Sequence, residues 1–245
     1  MPHLQVNGEE LVVEFALFDV DGTLVDDEDR YRSLAALRFK ALEARAGRVA
    51  AEMWAPLGGY DPVKLTLDMS GPIAKAARRE DMAIAAVAIY KTGCGWHEAR
   101  ALAEAVYAEA DEVQMRDYTP KLYPGVEDSL RRMKVAGFTL GIATNGSNRI
   151  TSELLCILGI LDLFSFIVGS EDAENPKPAP DLLLAACSKA KIQPSNTVYI
   201  GDQSVDAEAA KAAGCVWSII VGRTHVTPSL QVRRVASVAD LVVHP

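Results

Sequence analysis

Short apolar runs, each closed by polar or turn-forming residues, recur along the chain and predict buried parallel strands. The five runs are Leu11–Asp19, Phe138–Thr144, Phe166–Gly169, Thr197–Gly201 and Cys215–Val221. A sixth and shorter run, Leu241–Val243, is a candidate for an edge strand. Apolar residues at helical spacing lie between the later runs. From about residue 122 onward, strands and helices alternate, which predicts right-handed crossovers and an α/β fold with a doubly wound, Rossmann-like parallel sheet.

The first two runs are separated by far more chain than a crossover between parallel strands needs. This long segment has helical patterns: apolar residues from Leu34 to Leu42 form one stripe, and those from Ala99 to Val113 form another. We therefore predict an inserted all-helical domain over residues 27–118. The α/β core domain would then comprise residues 1–26 and 119–245.

Composition and charge narrow the range of partners. The chain is 49% apolar and 24% charged, which is enough apolar material for a sizeable core. Its net charge of −8 argues against nucleic acid or an anionic membrane as a partner, because both require clustered positive charge. The four cysteines form no CxxC pair, and the first residues have no basic and apolar leader, so we expect a cytoplasmic protein with reduced thiols. These features predict no oligomeric state.

Two carboxylates end the first apolar run, in the sequence Asp19-Val20-Asp21-Gly22-Thr23. The period of a strand places Asp19 and Asp21 on the same side. The carboxyl end of a parallel strand is also where open α/β sheets bind their ligands.

Polar residues close two later runs in the same way. The second run ends in Thr144-Asn145-Gly146, and the fourth ends in Gly201-Asp202, with Asp206 four residues further on. Lys177 lies between two prolines in the connection before the fourth run. Carboxylates at one sheet edge repel one another by about 4 kcal/mol per pair at ~4 Å and an effective dielectric of ~20. A divalent cation relieves that repulsion, and oxygen-only ligands favour Mg²⁺.

These four segments, in this order, resemble the four motifs of the haloacid dehalogenase-like (HAD) superfamily. The inserted segment resembles the helical cap domain of its phosphoglycolate phosphatase and β-phosphoglucomutase branch. The resemblance implies a Mg²⁺-dependent phosphatase that hydrolyses a small phosphorylated metabolite, phosphoglycolate or a sugar phosphate. The reaction would pass through an aspartyl-phosphate intermediate.

The resemblance also implies a role for each motif residue. Asp19 would be the nucleophile, and Asp21 the general acid and then the general base. The Thr144 hydroxyl and the Asn145 backbone N–H would bind a phosphoryl oxygen, and Lys177 would neutralise the transferring group.

The metal and substrate contacts are implied in the same way. Mg²⁺ would bind a carboxylate oxygen of Asp19, the backbone carbonyl of Asp21 and the side chain of Asp202, with Asp206 as a further ligand or an anchor. Gly22 would let the backbone approach the phosphate closely. In the inserted domain, Gly58 to Lys64 resembles the substrate-specificity loop, and Lys64 would bind an anionic group.

Two alternatives stay open. The first is a sugar-phosphate mutase like β-phosphoglucomutase. Tyr31 here stands where those mutases have a histidine, and Gly58 where they have basic residues, so hydrolysis is favoured. The second is a non-catalytic binding protein of the same fold, against which the intact motif residues argue.

Overall fold

The computed structural model describes residues 2–222, 230 and 232–244. The chain divides into two compact units. Met1–Asp26 and Pro120–Pro245 form the first, which we call the core unit, and Asp27–Thr119 forms the second, which we call the helical unit. Among the helices of the described residues, none is both long and apolar enough to cross a membrane.

The strands and helices of the described residues are numbered in chain order. The strands are β1 (His3–Val6), β2 (Glu9–Val12), β3 (Phe15–Phe18), β4 (Tyr60–Asp61), β5 (Thr66–Leu67), β6 (Thr139–Ala143), β7 (Ile167–Val168), β8 (Thr197–Gly201), β9 (Trp217–Val221), β10 (Val232–Val235) and β11 (Val242–His244). The helices are α1 (Glu28–Ala46), α2 (Arg48–Gly58), α3 (Pro72–Lys75), α4 (Arg78–Tyr90), α5 (Trp96–Asp117), α6 (Val126–Val135), α7 (Asn148–Ile157), α8 (Asp181–Ala190) and α9 (Ser204–Ala213).

The core unit is built on a parallel sheet with the strand order β10-β9-β8-β3-β6-β7. Successive side chains of a strand point to opposite faces, and β3 shows this alternation. Ala16 and Phe18 belong to an apolar cluster that includes residues of α6 and α7. Phe15 and Leu17 belong to a second cluster, with residues of α8 and α9. Helices therefore cover both faces, which confirms the predicted doubly wound α/β sheet.

The order of the strands along the sheet reverses direction beside β3, which makes this position a topological switch point. From β3 the sheet grows through β6 and β7 on one side, and then through β8, β9 and β10 on the other. The carboxyl end of β3 therefore lies between those of β6 and β8. In open α/β sheets, a crevice at such a switch point is the usual ligand site.

The prediction of one strand over Leu11–Asp19 is wrong, because this run includes the last two residues of β2 and all of β3, which belong to different sheets. Asn7 and Gly8 both have positive φ, at 52° and 83°, as in the tight turns that join hairpin strands. The turn pairs β2 with β1 in an antiparallel hairpin. The peptide must then leave this hairpin before it enters the main sheet as β3.

The short edge strand predicted at Leu241–Val243 is present, but it lies in the small sheet. β11 includes most of that run and forms an edge of this sheet, where it pairs antiparallel with β1. The main sheet instead ends at β10, which pairs parallel with β9. β10 has the sequence Val-Arg-Arg-Val, so no apolar run marks it. Arg233 of β10 stacks on the Trp217 ring at 3.8 Å and binds Glu9, and these tertiary contacts support a polar strand.

The helical unit has its own core. Residues of α1, α2, α4 and α5 form one apolar cluster, with Trp54 and Tyr107 as its largest fully buried side chains. A buried ion pair joins Arg38 of α1 to Asp81 of α4, and the Arg38 guanidinium lies 4.0 Å from the centre of the Tyr107 ring. The unit also contains the short antiparallel hairpin β4–β5, which the helical pattern did not predict.

Candidate active site

Polar residues from three strand ends and one loop meet at the switch point of the core unit. Asp19 directly follows β3, Thr144 follows β6 and Asp202 follows β8. Lys177 comes from the connection between β7 and α8. All four are buried, with 5–7% of each residue exposed. The parallel sheet therefore gathers residues that lie far apart in the sequence.

Lys177 is the centre of this cluster. Its Nζ lies 3.0 Å from Asp19 Oδ1, 2.7 Å from Asp206 Oδ1 and 2.8 Å from the Tyr199 hydroxyl. Burial alone would lower the pKa of the Lys177 ammonium, but the charges of Asp19 and Asp206 raise that pKa well above its usual value. Lys177 is therefore a permanently charged cation inside the protein.

Burial and the Lys177 ammonium shift the pKa of the Asp19 carboxyl in opposite directions. The net result is a pKa raised from 3.8 to about 6: burial raises it most, the Lys177 ammonium lowers it, and the negative charges of Asp206 and Asp21 raise it further. Asp19 is therefore mostly ionised at pH 7. The negative charges of the nearby carboxylates are not fully balanced at Asp19, and this favours the binding of a cation there.

Carboxylate oxygens of Asp19, Asp202 and Asp206 all lie within 4.8 Å of one another. The Lys177 ammonium contacts two of these buried acids, Asp19 and Asp206, and its one positive charge does not balance three carboxylates. An oxygen-only donor set fits Mg²⁺ rather than a softer metal. The residues present therefore suit the ion that the motifs imply.

Asp206 has contacts that hold it in place. Its Oδ2 accepts hydrogen bonds from the backbone N–H groups of Asp202 and Gln203, at 3.1 and 2.9 Å, and its Oδ1 accepts one from the Lys177 ammonium. Its position in the first turn of α9 brings its carboxylate back to the strand end. These contacts fix the turn that carries Asp202.

Gly22 lies in the tight turn after Asp19 and has a φ of 75°, a region that favours glycine. A Cβ at this position would stand 2.6 Å from Cγ of Asp202. The close protein neighbour of Gly22 is thus the Asp202 side chain, and the approach of a phosphate to the Gly22 backbone stays a prediction. Asp21, half-buried, precedes Gly22 in the same turn.

Thr144 and Asn145 connect β6 to the lysine loop. The Thr144 hydroxyl accepts the Gly146 N–H at 3.1 Å. The Asn145 side chain contacts the Lys177 backbone twice, because its Oδ1 accepts the Lys177 N–H at 2.8 Å and its Nδ2 donates to the Lys177 carbonyl at 3.3 Å. The Asn145 side chain therefore holds the lysine loop, a role that the sequence did not predict.

A family model confirms the resemblance that the motifs indicate. The model of the haloacid dehalogenase-like hydrolases matches residues 13–214. The chain belongs to this family. The match begins just before β3 and includes every motif residue as well as the helical unit. This HAD-like chain is therefore a hydrolase, as predicted.

Individual relatives of this HAD-like hydrolase support the same branch. A phosphoglycolate phosphatase of Pseudomonas putida is 29% identical over 215 residues, which cover 86% of this chain and 71% of that protein. The phosphoglycolate phosphatase of Escherichia coli K12 is 39% identical over 94 residues, or 38% of this chain and 37% of that one. The crystal structure of a predicted phosphoglycolate phosphatase from Haemophilus somnus 129PT matches with a TM-score of 0.67 at 21% identity, over 94% of this chain and 96% of that one. That structural match shows a shared fold.

Lys64, the predicted substrate contact, lies in the helical unit, in the turn between β4 and β5. It is largely exposed, and its Nζ is 3.3 Å from Asp61 Oδ2.

Tyr199, which was not predicted as a site residue, is fully buried in β8 and contacts Lys177 directly. A phenol in a fully buried strand is a usable signal, since a buried hydroxyl requires a hydrogen-bond partner.

Proposed function

We propose that this HAD-like hydrolase is a Mg²⁺-dependent phosphatase that forms an aspartyl-phosphate on Asp19. The observation that carries the proposal is the buried contact between Lys177 Nζ and Asp19 Oδ1, 3.0 Å long, at the meeting point of the strand ends. A carboxylate held beside a fixed ammonium is suited to attack phosphorus, because the ammonium stabilises negative charge on the transferring group.

The proposed reaction has two displacements at phosphorus. In the first, an Asp19 carboxylate oxygen attacks phosphorus, the bond from phosphorus to the substrate oxygen breaks, and Asp21 gives its proton to the departing alcohol. In the second, Asp21 accepts a proton from water as the water oxygen attacks phosphorus. The bond from phosphorus to Asp19 then breaks, which releases inorganic phosphate and restores both acids.

Other residues of the chain would bind and orient the phosphoryl group. The Thr144 hydroxyl and the Asn145 N–H would contact its oxygens, while the Asn145 side chain keeps Lys177 in position. Asp19, the Asp21 carbonyl and Asp202 would hold Mg²⁺, and Asp206 would keep Asp202 in place. When bound, Mg²⁺ supplies charge that offsets the carboxylates and the phosphate.

For the substrate, we propose a small phosphate ester, with phosphoglycolate first. The Pseudomonas putida phosphoglycolate phosphatase, similar over 86% of this chain, supports that choice. We propose that the helical unit acts as the cap that selects the substrate, with Lys64 as a contact for an anionic group. The four free cysteines agree with a reducing compartment, and we propose the cytoplasm.

The test is phosphate release with p-nitrophenyl phosphate and phosphoglycolate, with and without Mg²⁺. Asp19→Asn should abolish turnover, because the amide is not a nucleophile, and should keep the folded structure. Asp162→Asn, an exposed acid in the same unit, is the matched control and should keep full activity. Activity of Asp19→Asn near that of the wild type would contradict the proposal.

Product analysis separates the alternatives. Conversion of a hexose 1-phosphate to its 6-phosphate, without free phosphate, would indicate a mutase. Absence of Mg²⁺-dependent phosphate release over a broad panel of phosphorylated metabolites would favour a binding protein of this fold.

A further inference from the structure

We infer that Tyr199 is a positioning residue for Lys177, and that its hydroxyl aims the ammonium at Asp19. This inference rests on the proposed function and identifies a side chain that helps to set the rate of that reaction. It follows from the direction of each hydrogen bond around the Tyr199 oxygen.

The direction of the first bond is fixed by a carbonyl. The Tyr199 hydroxyl lies 2.7 Å from the carbonyl oxygen of Ala143, which can only accept. Asp206 Oδ1, at 3.4 Å, is a second and more distant acceptor for the same proton, so the bond to Ala143 is the shorter of the two. Toward Lys177, 2.8 Å away, the Tyr199 oxygen is the acceptor, because an ammonium group can only donate.

The three protons of the Lys177 ammonium are also accounted for. One points to Asp206, one to Tyr199 and one to Asp19, over distances of 2.7–3.0 Å. Asp206 and Tyr199 are both held by other groups, so they determine where the third proton points. Without the Tyr199 oxygen, one ammonium proton would lose its partner in a buried site, and Lys177 could turn away from Asp19.

The same hydroxyl connects three of the motif segments. Ala143 is the last residue of β6 and immediately precedes Thr144. Tyr199 lies on β8, two residues before the end of the strand that carries Asp202. A single phenol thus holds the lysine at a fixed place relative to two strand ends. A role in packing alone would require the ring but not the hydroxyl.

The test compares two variants that each remove one buried hydroxyl from β8. Tyr199→Phe keeps the ring and loses the acceptor. Thr197→Val is the matched control, because the Thr197 hydroxyl donates to the Gln193 carbonyl at 3.0 Å and is two residues from Tyr199. Kinetics with p-nitrophenyl phosphate and the thermal midpoint are measured for both.

We expect kcat of Tyr199→Phe to fall about tenfold to a hundredfold, as for the loss of one hydrogen bond to a charged group, with KM within about twofold. Thr197→Val should keep the wild-type kcat. An unchanged kcat in Tyr199→Phe, or an equal loss in both variants, would overturn the inference. If Tyr199→Phe does not fold, 3-fluorotyrosine at this position weakens the acceptor with little change in shape, and kcat should fall.

A structural measurement separates this inference from the proposed function. If the wild type releases no phosphate, the proposed function fails, but a crystal structure of Tyr199→Phe still tests the positioning. We expect Lys177 Nζ to move away from Asp19 Oδ1 in that structure. An unmoved ammonium would refute the role of Tyr199 whatever the enzyme does.

Discussion

Gly22→Ala should strongly reduce the activity of the enzyme without removing any chemical group of the site. Two costs follow from the structure. The first is the backbone, because a residue with a Cβ at a φ of 75° is destabilised by about 1–2 kcal/mol. The second is the contact of the new Cβ with Asp202, whose Cγ would be 2.6 Å away.

The second cost determines the effect on activity. Two carbon atoms are comfortable at about 3.5–4.0 Å, so Asp202 or the Gly22 turn must shift by roughly 1 Å. A displacement of that size at a catalytic site lowers the rate by about 10²-fold. We therefore expect kcat/KM for p-nitrophenyl phosphate to fall about a hundredfold. The thermal midpoint should fall by about 2–8 °C from the backbone cost alone.

Gly214→Ala provides the matched control. Gly214 has a φ of 80°, and no atom lies within 4 Å of the Cβ that it would gain. This variant should have the backbone cost without the collision, so it should lose stability and keep wild-type kcat/KM. Activity of Gly22→Ala within about fivefold of that of Gly214→Ala, at a temperature where both are folded, would show that the collision with Asp202 does not disturb the site.

Three further predictions concern the acids and the helical unit. Asp21→Asn should give a burst of one p-nitrophenolate per enzyme followed by slow turnover, because this leaving group needs no acid whereas the second displacement needs a base; stopped-flow absorbance that shows no burst would contradict it. The pKa of Asp19 is raised to about 6, so the folded protein binds a proton at Asp19 more tightly than the unfolded chain does. In EDTA, this proton therefore adds about 3 kcal/mol to the free energy of unfolding below pH 4, and the contribution is lost as the pH rises through 6. Mg²⁺ competes with the proton on Asp19, so added Mg²⁺ should raise the thermal midpoint more at pH 7.5 than at pH 5. Asp19→Asn should reduce this difference between the two pH values, and an equal rise of the wild-type midpoint at both pH values would contradict the prediction. Arg38→Met should lower the free energy of unfolding by about 3–5 kcal/mol, because Asp81 is left buried and charged, and Arg38→Met/Asp81→Leu should recover most of it in urea denaturation. Equal stability of the single and double variants would refute that account.

The fold could be predicted from the sequence where strands are buried on both faces. Such strands read as continuous apolar runs, and β8 matches its predicted run, Thr197–Gly201, residue for residue. β10 could not be found in this way, because its two arginines are supported by Trp217 and Glu9, which are distant in the sequence. The hairpin β1–β2 did carry a local signal, the Asn7-Gly8 turn.

In the site too, some contacts could be predicted from the sequence, whereas others depend on the tertiary structure. Asp19, Asp202 and Thr144 could be predicted to lie near one another, because parallel strands bring their carboxyl ends to one edge. The contacts of Lys177 with Tyr199 and with the Asn145 side chain depend on how the connections fold back on that edge. Nothing in the spacing of these residues predicts such contacts.

Detection of a covalent phosphate on Asp19 would decide whether this carboxylate is the nucleophile. Enzyme quenched during turnover is treated with borohydride, which reduces an aspartyl-phosphate to homoserine, and the peptides are analysed by mass spectrometry. We predict homoserine at position 19 in the wild type when substrate and Mg²⁺ are present, and unmodified residues in the absence of substrate. Steady release of phosphate with no modification at position 19, or with the label on another residue, would contradict the account.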